Sequence, residues 1–249
     1  MLKYGHRVAR PYKRALRSGY RDIRRSIRDD FPPWLGHTID TVLERFDLAL
    51  VDHGIFRFLY PNRHAVAARA WRSSQPAPHE IALFARRGIR TVINLRGYRD
   101  CGSYRLEQAA CLRHGIEMID FPARSRAAPD AAFFHKAKAL FESVEYPIVM
   151  HCKSGADRVG LMSVLYLILA EGRPAEEARR QLSLRYGHIA EADTGILDAV
   201  IDSYIAYNSR TPIAFLDWVD TVYDPRALKA RFAARKWGNV LVNGILRRE

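Results

Sequence analysis

Pro147-Ile148-Val149-Met150-His151-Cys152-Lys153-Ser154-Gly155-Ala156-Asp157-Arg158-Val159-Gly160 is the stretch from which the fold can be read. It opens on a short apolar run and leads into a second one, Leu161-Met162-Ser163-Val164-Leu165-Tyr166-Leu167-Ile168-Leu169. That order is the pattern of a buried strand, a tight loop and a buried helix. A cysteine and an arginine bracket five loop residues, and the arginine opens the helix. Backbone N–H groups at a helix start lack intrahelical partners and carry the positive end of the helix dipole, so such a loop holds an anion. The same field favours a thiolate: a free cysteine with a pKa near ~8.5 drops by several units at such a place and becomes nucleophilic at neutral pH. Arg158 adds a planar fork that grips two phosphate oxygens at once, which lysine does not offer. Cys152 is thus the candidate nucleophile and Arg158 the clamp. The backbone of Lys153, Ser154, Gly155, Ala156 and Asp157 is the candidate oxyanion cradle.

His-Cys, five residues and Arg, with glycine in the third place after the cysteine, resembles the signature of the cysteine-dependent protein-tyrosine and dual-specificity phosphatases. Residues 71–76, the run Ile93-Asn94-Leu95-Arg96 and the loop at 151–158 together look like the atypical dual-specificity branch of bacteria and fungi. The resemblance covers roughly residues 70–205, and only the loop is specific. It implies in-line attack of Cys152 on phosphorus to give a phosphocysteine that water then hydrolyses, with His151 behind the loop orienting the cysteine. It also implies a general acid on an aspartate some thirty residues upstream. Asp120, 32 residues before Cys152, meets that spacing and ends an expected strand, although the following loop at 122–129 carries no acid. Asp130, which is also suited to capping a helix, and Asp157, inside the loop itself, are the other candidates. The family usually has serine or threonine directly after the arginine, whereas this chain has Val159. A slow second step, or a phosphate-binding pseudophosphatase or adaptor without turnover, is therefore the alternative reading from another class.

Composition narrows the partners. The chain has 249 residues, 48% of them hydrophobic, enough for one generous domain with appended segments. Lys and Arg number 40 against 27 acids, a formal charge of +13. Such an excess favours anionic partners. A phosphorylated protein or small phosphomonoester is the expected substrate, and an anionic membrane surface a candidate partner through the basic termini. Nucleic acid is disfavoured, because no recognised motif accompanies the charge. Arg124, Arg126 and Lys153 are expected to ring the pocket mouth, which makes phosphoinositides, lipid phosphates and phosphosugars alternatives to phosphotyrosine. Cys101, Cys111 and Cys152 are too few and too ill-spaced for a disulfide framework or a zinc site. A reducing, cytoplasmic setting, peripheral to a membrane at most, suits them. No cofactor or metal is expected, since thiolate and guanidinium supply the charge that metal ions bring to other phosphatases. The first 28 residues lack the apolar core of a secretory signal, and no apolar run reaches the ~18–20 residues of a membrane span.

The organisation follows from the periodicities. Residues 1–28 carry ten basic side chains against Asp22 alone, and Pro32-Pro33 ends that arm. Apolar residues at helical spacing over 38–58 predict an amphipathic helix. From residue 70 onward short β-branched runs alternate with helical patterns. Strands are expected near 71–76, 90–95, 116–121 and 147–150, and helices over 78–87, 104–114, 129–144, from 158, 174–186 and 193–207. A basic helix is expected over 226–239. The fold class is therefore α/β, a mostly parallel central sheet flanked by helices, with helical N- and C-terminal extensions. The expected divisions are a basic extension at 1–60, the phosphatase-like domain at 61–210 and a basic helical extension at 211–249.

Overall fold

In the computed structural model the described residues are 62–246, with side chains described through Arg235. The basic arm at 1–28 and the helix expected over 38–58 lie outside the described residues, as do the side chains of Lys236 and Trp237. The described residues fall into two compact units, 99–109 in the first and 62–98 with 110–246 in the second. In the described part of the first, Arg105 pairs with Asp100 at 2.6 Å, and Cys101 Sγ lies 3.4 Å from Ser103 Oγ.

The second unit holds a five-stranded sheet. Its strands are β1 (His64–Ala67), β2 (Ala70–Ser74), β3 (Thr91–Asn94), β4 (Glu117–Asp120) and β5 (Ile148–Cys152), in the order β1-β2-β5-β3-β4. β1 runs antiparallel to β2, and the other four strands are parallel. The helices are α1 (Pro78–Arg86), α2 (Gly102–Arg113), α3 (Ala131–Ser143), α4 (Asp157–Leu169), α5 (Ala175–Ala178), α6 (Ile196–Asn208), α7 (Phe215–Thr221) and α8 (Pro225–Leu246). β5 is buried at every residue, as the central strand of a sheet covered on both faces must be. Alternation along the strands divides the core. Val92 and Val149 pack with Ile81, Phe84, Ala110 and Cys111. Ile93, Ile148 and Met150 face the opposite way, into the larger cluster with Phe134, Leu165 and Ile201.

Two sequence expectations need correction. Residues 174–186 do not form one helix: α5 gives way to 3₁₀ turns at Arg179–Gln181 and Leu184–Tyr186. The Gln181 carbonyl accepts from the Arg72 guanidinium instead of continuing a helical ladder. Pro129 lies outside α3, because Asp130 is the N-cap and accepts from Phe133 N at 2.9 Å. The basic helix expected over 226–239 is α8, which begins at Pro225 and is preceded by α7, whose Phe215, Trp218 and Val219 join the larger core cluster with Leu228. The C-terminal residues of β2, β3, β4 and β5 are Ser74, Asn94, Asp120 and Cys152. The strand ends where open α/β sheets bind ligands therefore carry the candidate nucleophile.

Candidate active site

β5 brings Cys152 to the sheet edge in register with Ser74, and α4 starts five residues later at Asp157. Between them the chain turns through Gly155, whose φ is +74°. A Cβ there would stand 2.8 Å from Ser74 N and 2.9 Å from the Ser73 carbonyl carbon, so both the turn and the close approach require glycine. Gly160, one turn into α4, lies so close to the 3₁₀ segment that a Cβ would meet Gln181 O at 3.1 Å.

Two side chains from behind fix the direction of the loop's peptide groups. Arg72, on β2 and fully buried, donates through Nη2 to the carbonyls of Gly155 (2.9 Å) and Ala156 (3.0 Å). Its Nη1 reaches Gln181 O at 2.7 Å and Gln181 Oε1 at 2.8 Å. The guanidinium carbon sits 3.9 Å from the Tyr186 ring centroid. Asn62 Nδ2 donates to the Ser154 carbonyl at 3.0 Å and to the Tyr186 carbonyl at 2.9 Å. The carbonyls of Ser154, Gly155 and Ala156 are thus all drawn to the rear. In a trans peptide the C=O of one residue and the N–H of the next point in opposite directions. The N–H group of Gly155 consequently faces away from Asn62, and those of Ala156 and Asp157 away from Arg72, as an anion cradle requires. The Arg72 charge is felt nearby: burial first, then Arg72 and Arg185, hold the His64 imidazole below its usual value.

Cys152 is 1% exposed and is a free thiol, with His151 fully buried beside it in β5. The His151 carbonyl accepts from Leu95 N at 2.9 Å, which ties the strand end to the residue after β3. Arg158 and Asp157 line a pocket of about 450 Å³ together with Thr194 and the segment at 123–127, which includes Arg124 and Arg126. Two of the three basic residues expected at the mouth are therefore among the lining residues; Lys153 is not. Val159 is fully buried in the core cluster.

The three candidate carboxylates are held in different ways. Asp120 is exposed at the end of β4, and its Oδ1 accepts from Asn94 Nδ2 at 2.7 Å. Asp130 caps α3. Asp157 lines the pocket, and its Oδ1 lies 2.8 Å from His188 Nδ1. His188 is 1% exposed, and its Nε2 is 2.5 Å from Asp198 Oδ2 on α6. Burial pulls this imidazolium down, but hydrogen bonds and charge from Asp157 and Asp198 outweigh it, and its pKa is raised to about 9. Arg179 backs the group, with Nη2 2.9 Å from Asp198 Oδ1 and Nε 2.6 Å from Asp202 Oδ1.

Asn62, Arg72, Gln181 and His188 were not among the residues singled out from sequence. No periodicity or spacing marks them, since they meet the loop, or in the case of Gln181 its support Arg72, from distant parts of the chain; the Asp157–His188 separation is 31 residues.

The curated relatives include the dual specificity protein phosphatase TpbA of Pseudomonas aeruginosa. The sequence from strain PAO1 is 25% identical over 133 residues, which are 53% of this chain and 57% of TpbA. The sequence from strain UCBPP-PA14 is 25% identical over 122 residues, 49% of this chain and 53% of that one. The chain thus spans about half the length of the curated relatives it matches. Among solved structures, P. aeruginosa TpbA aligns with a TM-score of 0.45 at 18% identity, over 59% of this chain and 91% of that one. PTPMT1 aligns with a TM-score of 0.43 at 18% identity, over 60% of this chain and 99% of that one. Residues 61–194, a stretch that contains the whole sheet, the loop, Arg72 and His188, match the model of the family described as DSP-PTPase phosphatase fused to NAD+ kinase, and the chain belongs to that family.

Proposed function

We propose that this chain is a metal-independent phosphomonoester hydrolase of the protein-tyrosine and dual-specificity type, acting through a phosphocysteine. The observation that carries the reading is the loop whose three rear-facing carbonyls are held by Asn62 and Arg72 between Cys152 and Arg158. Cys152 Sγ attacks phosphorus in line. The S–P bond forms as the ester P–O bond breaks, and the leaving oxygen takes a proton from a general acid. The N–H groups of residues 155–157 and the Arg158 guanidinium hold the equatorial oxygens, so catalysis is positional and electrostatic. Water then attacks the phosphocysteine, releasing inorganic phosphate and the thiolate.

Asp120 is the proposed acid, on its position at the end of β4, three residues before the pocket-lining segment that starts at Ala123. Asp157 is nearer to Arg158, but its carboxylate is already an acceptor for the His188 imidazolium. Asp120→Asn is expected to lower kcat by ~10²–10⁴ and to remove the alkaline limb of the pH profile. Retention of that limb would move the role elsewhere. Phosphotyrosine, with which P. aeruginosa TpbA has been crystallised in complex, is one substrate class. A second reading, a phosphoinositide, lipid phosphate or phosphosugar, is favoured by Arg124 and Arg126 on the pocket wall. The buried Val159 in place of a hydroxyl supports a slow hydrolytic step, and at the extreme a phosphate-binding pseudophosphatase.

The test is phosphate release from a panel of phosphopeptides, phosphoinositides and phosphosugars by the parent chain and by Cys152→Ser. Release from at least one class, abolished in the variant, is expected. Oxyanion binding without release from any of them would establish the pseudophosphatase reading.

A further inference from the structure

Asp157 is the sole carboxylate lining the described pocket that also contains Arg158, Arg124 and Arg126. As the nearest anion to Arg158 in sequence, it is the natural competitor with a substrate phosphate for that guanidinium. Its Oδ1 is engaged from the opposite direction, by His188 Nδ1 at 2.8 Å. His188 stands almost wholly buried between Asp157 on α4 and Asp198 on α6, the two carboxylates whose charges face it. Arg179 reinforces the far side by ion pairing with Asp198. A ring with a carboxylate on each nitrogen donates both hydrogen bonds only as the imidazolium.

We propose that His188 is a positioning residue that holds the Asp157 carboxylate toward α6, and so keeps Arg158 free for the phosphate oxygens. This inference rests on the phosphate-site reading of the loop, and it concerns oxyanion affinity more than the chemical step. Removing the imidazolium releases a carboxylate beside the clamp, which then neutralises it and repels the incoming dianion. Neutralising the carboxylate itself removes the competitor, whatever His188 does.

The folded pKa of about 9 lies above the ordinary 6.5. The imidazolium is therefore charged, and the restraint in place, at neutral pH, and it is lost as the pH rises through about 9.

The experiment is calorimetric binding of orthovanadate and of inorganic phosphate to the full chain, which does not require turnover. The proteins are the parent, His188→Ala, Asp157→Asn and the double variant. His188→Ala is expected to weaken binding by about tenfold, the size of one lost charge contact. The double variant is expected to bind like Asp157→Asn, because no carboxylate remains to be restrained. A double variant as weak as His188→Ala would show that His188 acts through packing alone and would overturn the proposal. The parent and Asp157→Asn also carry a test that does not depend on His188→Ala folding. Affinity of the parent, taken relative to Asp157→Asn, should fall as the pH rises through about 9; a constant ratio would contradict the proposal. A parent that binds neither oxyanion would overturn the phosphate-site reading and this inference with it.

Discussion

Arg72 holds two loop carbonyls and two Gln181 oxygens with one guanidinium, and its planar fork is what allows four acceptors to be reached from a fully buried position. Lysine carries the charge but not the fork. Arg72→Lys is expected to cost about 2–4 kcal/mol of stability, because buried carbonyls lose their donors, and to weaken oxyanion binding. Chemical denaturation and vanadate titration check the two effects; stability and affinity equal to the parent would show that the loop needs no rear support. The candidate loop itself was legible in the sequence. Cys152, Gly155 and Arg158 lie within seven residues, and their chemistry depends on that local spacing. The support was not legible, because Asn62, Arg72 and His188 meet the loop only through tertiary contacts, and nothing local distinguishes Arg72 from the many other arginines of a basic chain.

Helix α4 carries Val159, Leu161, Met162, Val164 and Leu165 fully buried against the sheet, which fixes its N-terminus at the end of β5. Its first turn is tied sideways to α6 by Asp157, His188 and Asp198. A histidine whose folded pKa is raised from 6.5 to about 9 contributes on the order of 3 kcal/mol at low pH. That contribution is complete below the unfolded value and falls as the pH rises through the folded one. Thermal unfolding of the parent from pH 6 to 10 should show a falling Tm across pH 7–9 that is much shallower in His188→Ala; parallel curves would contradict it. The strongly periodic helices and the β-branched strands were read from sequence within a few residues. The segment at 174–186 was not, because amphipathic spacing does not reveal a carbonyl that turns aside to a buried arginine. β1 escaped notice because four residues at a sheet edge carry no period that can be separated from a loop.

A formal charge of +13 and a pocket wall bearing Arg124, Arg126 and Arg158 give the molecule a field that attracts multiply charged phosphates. Replacing both Arg124 and Arg126 by alanine should lower kcat/KM for a phosphoinositide about tenfold more than for p-nitrophenyl phosphate, and that difference should shrink as salt rises. Equal losses on both substrates would remove the basis for a polyanionic preference. The α/β class and the mostly parallel sheet were legible because strand and helix periods alternate along residues 70–170. The place of α7 in the core was not, since Phe215 and Trp218 are followed closely by a basic segment that dominates the local pattern. Among the described residues no helix is long and apolar enough to cross a membrane. The most direct measurement is acid quench of the full chain during turnover of p-nitrophenyl phosphate, followed by peptide mass spectrometry. One phosphoryl group on the peptide containing Cys152, absent in Cys152→Ser, is the expected result. Product release with no phosphorylated cysteine at any quench time, or turnover that survives in Cys152→Ser, would contradict it.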